Sequence, residues 1–190
     1  MTPSAKPKLD TSYLSTKFIE WGLQYFVAGR FAIMNLLPPV NCILMHHAIE
    51  MIMRAALVST VPPEELKAKY KHNLNRLWKA TKAKFPAENL KQFDDVVSKL
   101  HRFERLRYPD KLISEGATMQ IAIERNYGFG KVSPAPNQAT SYKLALENID
   151  QLFKVLFRLA DGNPPAYFNC LKDSAIAVVN ERNLHPMYKR

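Results

Sequence analysis

Apolar residues recur every three or four positions along most of the chain, the spacing that aligns side chains on one face of a helix. It predicts helices over residues 10–37, 39–58, 64–85, 87–107, 138–160 and about 165–183. The third helix is expected to be interrupted near His72. Prolines stand between the predicted helices, and proline ends a helix because it lacks a backbone N–H and disfavours a helical residue before it. The pattern predicts an all-α bundle of five or six helices in one domain, residues 1–190.

The first two predicted helices differ in how their apolar residues are distributed. In the first helix five apolar residues follow the helical spacing: Phe18, Trp21, Tyr25, Ala28 and Ala32. The second helix is apolar around most of its circumference, which indicates a central helix covered on several sides.

Residues 108–137 depart from the helical pattern. Met119, Ile121 and Ile123 alternate along the chain, which indicates a short strand or extended segment. Glycines and prolines follow, so the whole region is predicted to be a long loop. A loop of about 30 residues is unusual in a compact domain and often binds something or is partly disordered.

The composition is that of a soluble globular protein, with 47% hydrophobic and 23% charged residues. Its most apolar window, residues 31–45, is interrupted by Asn35, Asn41 and two prolines, whereas a membrane span needs about 20 mostly apolar residues. The first eight residues are polar, and no apolar stretch typical of a secretory signal follows them. The sequence therefore predicts a cytoplasmic protein without a membrane partner.

The formal net charge of +10 favours contact with polyanions such as RNA or DNA. Basic residues form outward stripes on the third and fourth predicted helices, and these are the candidate nucleic-acid contacts: Lys67, Lys71, Lys79, Lys82, Arg102 and Arg105. Tyr70, Trp78 and Tyr108 lie nearby in sequence and could stack on bases if they were exposed. The alternative is a solvated charged face without a specific partner.

The second helix carries four polar groups in an apolar setting: His46, His47, Glu50 and Arg54. Positions three and four residues apart converge on a helix, so the histidines and Glu50 could in principle bind a metal. No second carboxylate–histidine helix completes the site, since Glu104 three residues after His101 is a single turn of this kind. We therefore predict a structural polar cluster in which Glu50 pairs with Arg54, His47 lies on the apolar stripe, and Arg30 of the first helix also reaches Glu50. His46 is expected to leave the apolar stripe. No metal site and no cofactor are predicted.

Three short motifs follow one another along the chain. They are Ala48, Glu50, Arg54 and Leu57 in the second helix, then His72-Asn73-Leu74, then Tyr108-Pro109-Asp110. Their order resembles the HEPN family, small helical domains found with nucleotidyltransferases and in toxin–antitoxin and defence systems. The resemblance implies an up-and-down four-helix core and often a homodimer. It also implies ribonuclease activity in some members, and binding of a nucleotide or a protein partner, such as a nucleotidyltransferase or an antitoxin, in others.

Ribonucleases of this family use an arginine and a histidine four to six residues apart near the end of a helix. The nearest match here is Arg182 and His185, separated by two residues and followed by Pro186. We expect a non-catalytic HEPN-like protein that binds RNA, a nucleotide or a protein partner through its basic helices. Two alternatives remain open at this point. One is a metal-independent endoribonuclease using Arg182 and His185, and the other is an interaction protein without a nucleic-acid ligand.

Overall fold

The computed structural model describes residues 10–105, 107–123 and 140–188. Its first two helices are α1, Thr11–Met34, and α2, Val40–Leu57. They form an antiparallel hairpin, in which Gly22 of α1 lies against Ile52 and Gly29 lies against Met45. A Cβ atom at Gly22 would come within 2.7 Å of Ile52 Cδ1, so a larger residue there would require the Ile52 side chain to shift.

The predicted stripe of α1 faces the core only at its two ends, where Phe18 packs against the core and Ala32 is buried. Helix α1 buries Ile19, Leu23 and Phe26, whereas Trp21 and Tyr25 are exposed. A helix with apolar residues on two sides gives no sequence signal for which side is covered. The second apolar side of α1 therefore remains at the surface of the chain.

The third predicted helix is interrupted near His72, as the sequence indicates. A short helix α3, Pro63–Glu65, continues into a π-helical turn, Leu66–Tyr70. Helix α4, Leu74–Lys84, starts anew because the side chain of Asn73 accepts a hydrogen bond from the backbone N–H of Arg76 at 3.0 Å.

The fourth predicted helix begins later than expected. A 3-10 turn, Lys91–Phe93, precedes α5, Asp94–Arg105. A short helix α6, Pro109–Ser114, then occupies the first part of the predicted long loop. Pro109 starts α6, a position where a missing N–H costs nothing.

The predicted extended segment is confirmed and is one strand of a small parallel sheet. Strand β1, Ala117–Ala122, pairs with β2, Thr140–Ala145, so that Ile121 lies opposite Leu144. The rest of the predicted loop, 124–137, lies outside the described residues. The predicted helix 138–160 is wrong in its first part, because helix α7 is Leu146–Leu159. Tyr142, Leu144 and Leu146 fit a two-residue period as well as a helical one, and pairing with β1 favours the strand.

The last predicted helix, 165–183, is two helices. Helix α8 is Pro164–Phe168, and helix α9 is Asp173–Asn180. The break allows Phe168 to pack against Phe157 of α7 while α9 contacts α1.

The fold is all-α, as predicted, and the small sheet is an addition to a helical bundle. Helix α2 lies at its centre and contacts α1, α4, α5 and α7. In the part of the chain that the structure describes, no helix combines the length and the hydropathy needed to cross a bilayer.

Candidate functional site

Glu50 is the centre of a buried polar cluster on α2. Its Oε1 atom accepts hydrogen bonds from Nε and Nη2 of Arg54 at 2.9 and 2.8 Å. The pairing predicted from the four-residue spacing is therefore present in the structure. Arg54 also donates to the carbonyls of Leu66 and Lys71, so it fixes both ends of the π-helical turn.

Three histidines surround the other carboxylate oxygen, Glu50 Oε2. His72 Nδ1 lies at 3.1 Å, His47 Nδ1 at 3.6 Å and His46 Nε2 at 3.7 Å. The last two distances are too long for ordinary hydrogen bonds. We call His46, His47, Glu50 and His72 the histidine cluster.

The cluster runs from the core to the surface. The side chains of His46 and Glu50 are fully buried, that of His47 is 23% exposed, and that of His72 is 64% exposed. The predicted placement of the two adjacent histidines is therefore reversed, because His46 is in the core and His47 leaves it. His47 lies beside Tyr25 of α1, with ring centroids 5.4 Å apart.

The buried imidazole of His46 has a defined tautomer. Its Nδ1 atom is 2.9 Å from the carbonyl oxygen of Leu100 on α5. A carbonyl can only accept, so Nδ1 carries the proton, and in the neutral ring Nε2 carries the lone pair. That Nε2 atom is buried and makes no hydrogen bond.

The surroundings of Glu50 keep it ionised. Burial raises its pKa, but the Arg54 guanidinium and the hydrogen bond from His72 outweigh burial and hold the pKa well below its ordinary value. A carboxylate is therefore present at neutral pH in an otherwise apolar helix.

His72 is the member of the cluster that the sequence analysis did not place there. It follows Lys71, whose φ of 45° is unusual for a residue with a side chain, and precedes the cap residue Asn73. The sharp turn directs His72 back toward α2. The predicted interruption of the third helix near His72 indicated a turn, but it did not indicate the direction in which that turn points His72.

Arg30 does not reach Glu50, which corrects the predicted cluster. It forms an ion pair with Asp150 of α7, and its Nε donates to the carbonyl of Val178 at 2.9 Å. It also donates to the carbonyl of Glu181. Arg30 thus joins α1, α7 and the end of α9. Asp150 lies beside Ile149 on the inward side of α7, and an acid in such a position could have indicated a buried partner.

The basic residues of the third predicted helix are concentrated in a segment without acidic residues. Residues 66–87 contain no Asp or Glu and seven cations: Lys67, Lys69, Lys71, Arg76, Lys79, Lys82 and Lys84. Lys69 pairs with Glu65 at 2.9 Å, and Lys82 pairs with Asp94 at 2.7 Å. Lys84 donates to the carbonyl of Ala56.

The remaining four cations form what we call the basic surface: Lys67, Lys71, Arg76 and Lys79. All four are exposed, and within the described ranges none has an ion-pair partner. Arg76 Nη1 reaches back to the carbonyl of Lys69 at 3.4 Å, which brings the start of α4 next to the π-helical turn. The predicted contact Lys82 is neutralised and is not part of this surface.

Two cations near the predicted contacts Arg102 and Arg105 are paired with acidic residues. Lys99 pairs with Asp95, and Arg107 pairs with Glu104. Arg102 is exposed and donates to the hydroxyl of Tyr142 at 2.7 Å. The side chain of Arg105 lies outside the described residues.

Two of the three candidate stacking aromatics are unavailable. Tyr70 and Trp78 are buried, and the indole N–H of Trp78 donates to Asp94. Tyr108 is exposed and lies under the guanidinium of Arg107. Only Tyr108 of the three presents a ring that a base could cover.

Arg182 and His185 lie beyond the last helix rather than on one helix face, because α9 ends at Asn180. Arg182 is exposed in a turn with φ of 52°. His185 lines a cavity of about 450 Å³ together with Lys154 and Arg158 of α7. Arg182 is not among the residues that line it.

We compared the chain with known protein families, curated proteins and solved structures. No family model matches the chain, and no curated protein or solved structure matches it.

Proposed function

We propose that the chain is a non-catalytic, HEPN-like RNA-binding protein that contacts the phosphate backbone through the basic surface. The observation that carries this proposal is the group of four exposed cations, Lys67, Lys71, Arg76 and Lys79, without acidic neighbours in residues 66–87. Lys82 in the same segment and Lys99 on α5 are each paired with an acidic residue, so neither adds an unpaired charge to this surface.

A polymer suits this surface better than a single nucleotide. The four side chains stand exposed along a turn and one helix, whereas small ligands are usually held in concave, largely apolar sites. Each phosphate neutralised on a single strand changes the logarithmic salt slope of binding by about −0.7, so four contacts give about −3. RNA binding should therefore weaken steeply as salt is raised.

The test is fluorescence anisotropy of a labelled single-stranded RNA titrated with the full chain at several salt concentrations. We expect the triple variant Lys67→Gln, Arg76→Gln and Lys79→Gln to bind at least about tenfold more weakly and with a slope about two units shallower. A matched control removes three exposed cations elsewhere: Lys91, Lys111 and Lys172. Equal losses in both triple variants, or no binding by the unaltered chain, would refute the proposal.

The same RNA assay also tests the enzymatic alternative, which the cavity at His185 favours. A histidine beside Lys154 and Arg158 could act in acid–base chemistry while the cations hold phosphate, although Arg158 is already paired with Glu88 at 2.7 and 2.9 Å. Cleavage in the presence of a chelator that is lost in His185→Ala would establish this alternative. Cleavage unchanged by that substitution would exclude it.

We further propose that the chain forms a homodimer through the uncovered side of α1, in line with the HEPN resemblance. Trp21 and Phe31 are 54% and 53% exposed, and Tyr25 and Ala28 lie between them on the same side of the helix. Leu44 of α2 borders the shallow cavity next to Trp21 and Tyr25. Apolar side chains grouped in this way commonly mark a protein interface.

A further inference from the structure

We propose that the histidine cluster is a binding site for a divalent late transition-metal ion, with Zn²⁺ as the representative. Its ligands are His46 Nε2, His47 Nδ1, Glu50 Oε2 and His72 Nδ1. This inference does not rest on RNA binding, because the four ligands belong to no part of the basic surface.

The donor atoms already lie close to the separations that a tetrahedral ion requires. The ligand atoms of His46, His47 and Glu50 are all within 4.8 Å of one another. Glu50 Oε2 is 3.6 Å from His47 Nδ1 and 3.7 Å from His46 Nε2. Metal–ligand bonds of about 2.0–2.1 Å place tetrahedral ligands about 3.3 Å apart. Small rotations bring these three side chains to that spacing. His72 Nδ1 lies 3.1 Å from Glu50 Oε2, and its exposed ring must turn toward the two other imidazoles to complete the set.

His46 provides the second and independent observation. Its Nε2 atom is fully buried, makes no hydrogen bond and faces a carboxylate. A buried polar atom without a partner is unfavourable, and a lone pair facing an anion is more so. A cation between Nε2 and Oε2 would satisfy both atoms at once.

Two of the proposed ligands, His46 and Glu50, are held by hydrogen bonds of the kind found at metal sites. The Leu100 carbonyl accepts the Nδ1 proton of His46 at 2.9 Å, which leaves Nε2 free to coordinate. A hydrogen bond of this kind orients most metal-bound histidines. Arg54 occupies Glu50 Oε1, so the carboxylate is held in place while Oε2 faces the three imidazoles.

The chemical types of the four ligands determine which ion fits the site. The different exposure of their side chains determines the side from which the ion enters. Three imidazoles and one carboxylate suit Zn²⁺, Ni²⁺ or Cu²⁺, whereas Ca²⁺ and Mg²⁺ prefer sites composed of oxygen atoms. His72 is largely exposed and His47 partly so, whereas His46 and Glu50 form the base of the site. An ion can therefore reach the buried ligands from solvent on the His72 side.

The test is Zn²⁺ titration of the full chain after it has been stripped with a chelator, followed by calorimetry and by competition with a chromophoric indicator. We expect one Zn²⁺ per chain and a higher Tm with Zn²⁺ present. His47→Gln and His72→Ala should each weaken Zn²⁺ binding at least about tenfold. Substituting a residue that only hydrogen-bonds a metal ligand already lowers metal affinity about 10- to 100-fold. His72 is exposed and His47 is half-buried, and circular dichroism should show an unchanged helical fold in both variants.

His185→Ala is the matched control, because it removes a histidine outside the cluster and should leave Zn²⁺ affinity unchanged. Co²⁺ in place of Zn²⁺ should give the visible absorption of a four-coordinate site, and the His47→Gln variant should lose it. If no stoichiometric binding is seen, the proposal fails. Unchanged affinity in either ligand variant, or an equal loss in the control, would also overturn it.

Discussion

Arg30 of α1 and Asp150 of α7 form an ion pair in which both side chains are fully buried. Burial raises the pKa of Asp150 to about 6, although the charge and hydrogen bond of Arg30 act in the opposite direction. Because Arg30 also donates to carbonyls at Val178 and Glu181, one guanidinium joins three helices. Buried pairs of this kind are costly to break because the remaining charge has no partner.

Replacing Arg30 with methionine should therefore destabilise the fold by about 3–5 kcal/mol in urea unfolding at pH 7. The loss should be smaller at pH 5. Arg30 lowers the pKa of Asp150, so without Arg30 the buried carboxyl takes up a proton at higher pH. The folded variant therefore gains more stability than the unaltered chain as pH falls from 7 to 5. The control Lys154→Met alters an exposed residue of α7 and should change stability by less than about 0.5 kcal/mol. A variant with the stability of the unaltered chain at pH 7 would contradict this structural role.

Substitution of Glu50 by glutamine should also cost about 3–5 kcal/mol, because Arg54 is buried and would lose its counter-charge. The pH dependence has the opposite sign to that of Asp150. The pKa of Glu50 is lowered on folding, so its stabilising contribution is present above the ordinary value of 4.5 and is lost as pH falls below it.

Chemical unfolding between pH 3 and pH 7 measures this contribution. The unaltered chain should lose more stability below pH 4.5 than Glu50→Gln does, and the two curves should converge. Glu64→Gln, at an exposed position, serves as the control and should follow the unaltered chain. If the free energies of unfolding of Glu50→Gln and the unaltered chain fall in parallel with pH, the Glu50 carboxylate does not cause the loss of stability in acid.

The sequence predicts those parts of this site that depend on neighbours within one helix. Glu50 and Arg54 are four residues apart, and that spacing alone brings them together. The apolar circumference of α2 likewise predicts its central place in the bundle. The same property conceals which of His46 and His47 is buried, because a helix covered on several sides has no single inward face. Their placement depends on Leu100 of α5 and Tyr25 of α1.

Contacts between distant segments could not be read from spacing. From the sequence alone, Glu50 and Asp150 are equally suitable ion-pair partners for Arg30. The packing of α1 and α7 against α2 brings Asp150 to Arg30. His72 joins the cluster through the direction of one turn. Strand β2 was mistaken for helix because its short apolar pattern fits both periods, and its partner β1 lies more than 20 residues earlier.

The homodimer predicts concentration-dependent self-association that is weakened by polar substitutions on α1. Trp21→Ser and Phe31→Ser should each shift sedimentation equilibrium toward the monomer, because each removes a large apolar side chain from the proposed interface. Ile113→Ser is the control, since Ile113 is an exposed apolar residue on α6 rather than α1. A monomer at all concentrations, or the same shift in the control, would exclude this interface.

The turn that directs His72 toward Glu50 can be tested at Lys71. With φ of 45° and ψ of −126°, its backbone occupies a region that glycine adopts readily and other residues do not. Alanine is normally the more stabilising of the two residues, because glycine loses more freedom on folding. At this position we expect the reverse, with Lys71→Gly more stable than Lys71→Ala by about 1 kcal/mol in urea unfolding. The same exchange at Lys79, in the middle of α4, should favour alanine by about 1 kcal/mol. If alanine is favoured at both positions, the left-handed turn is absent in solution, and His72 would not be directed to the cluster as described.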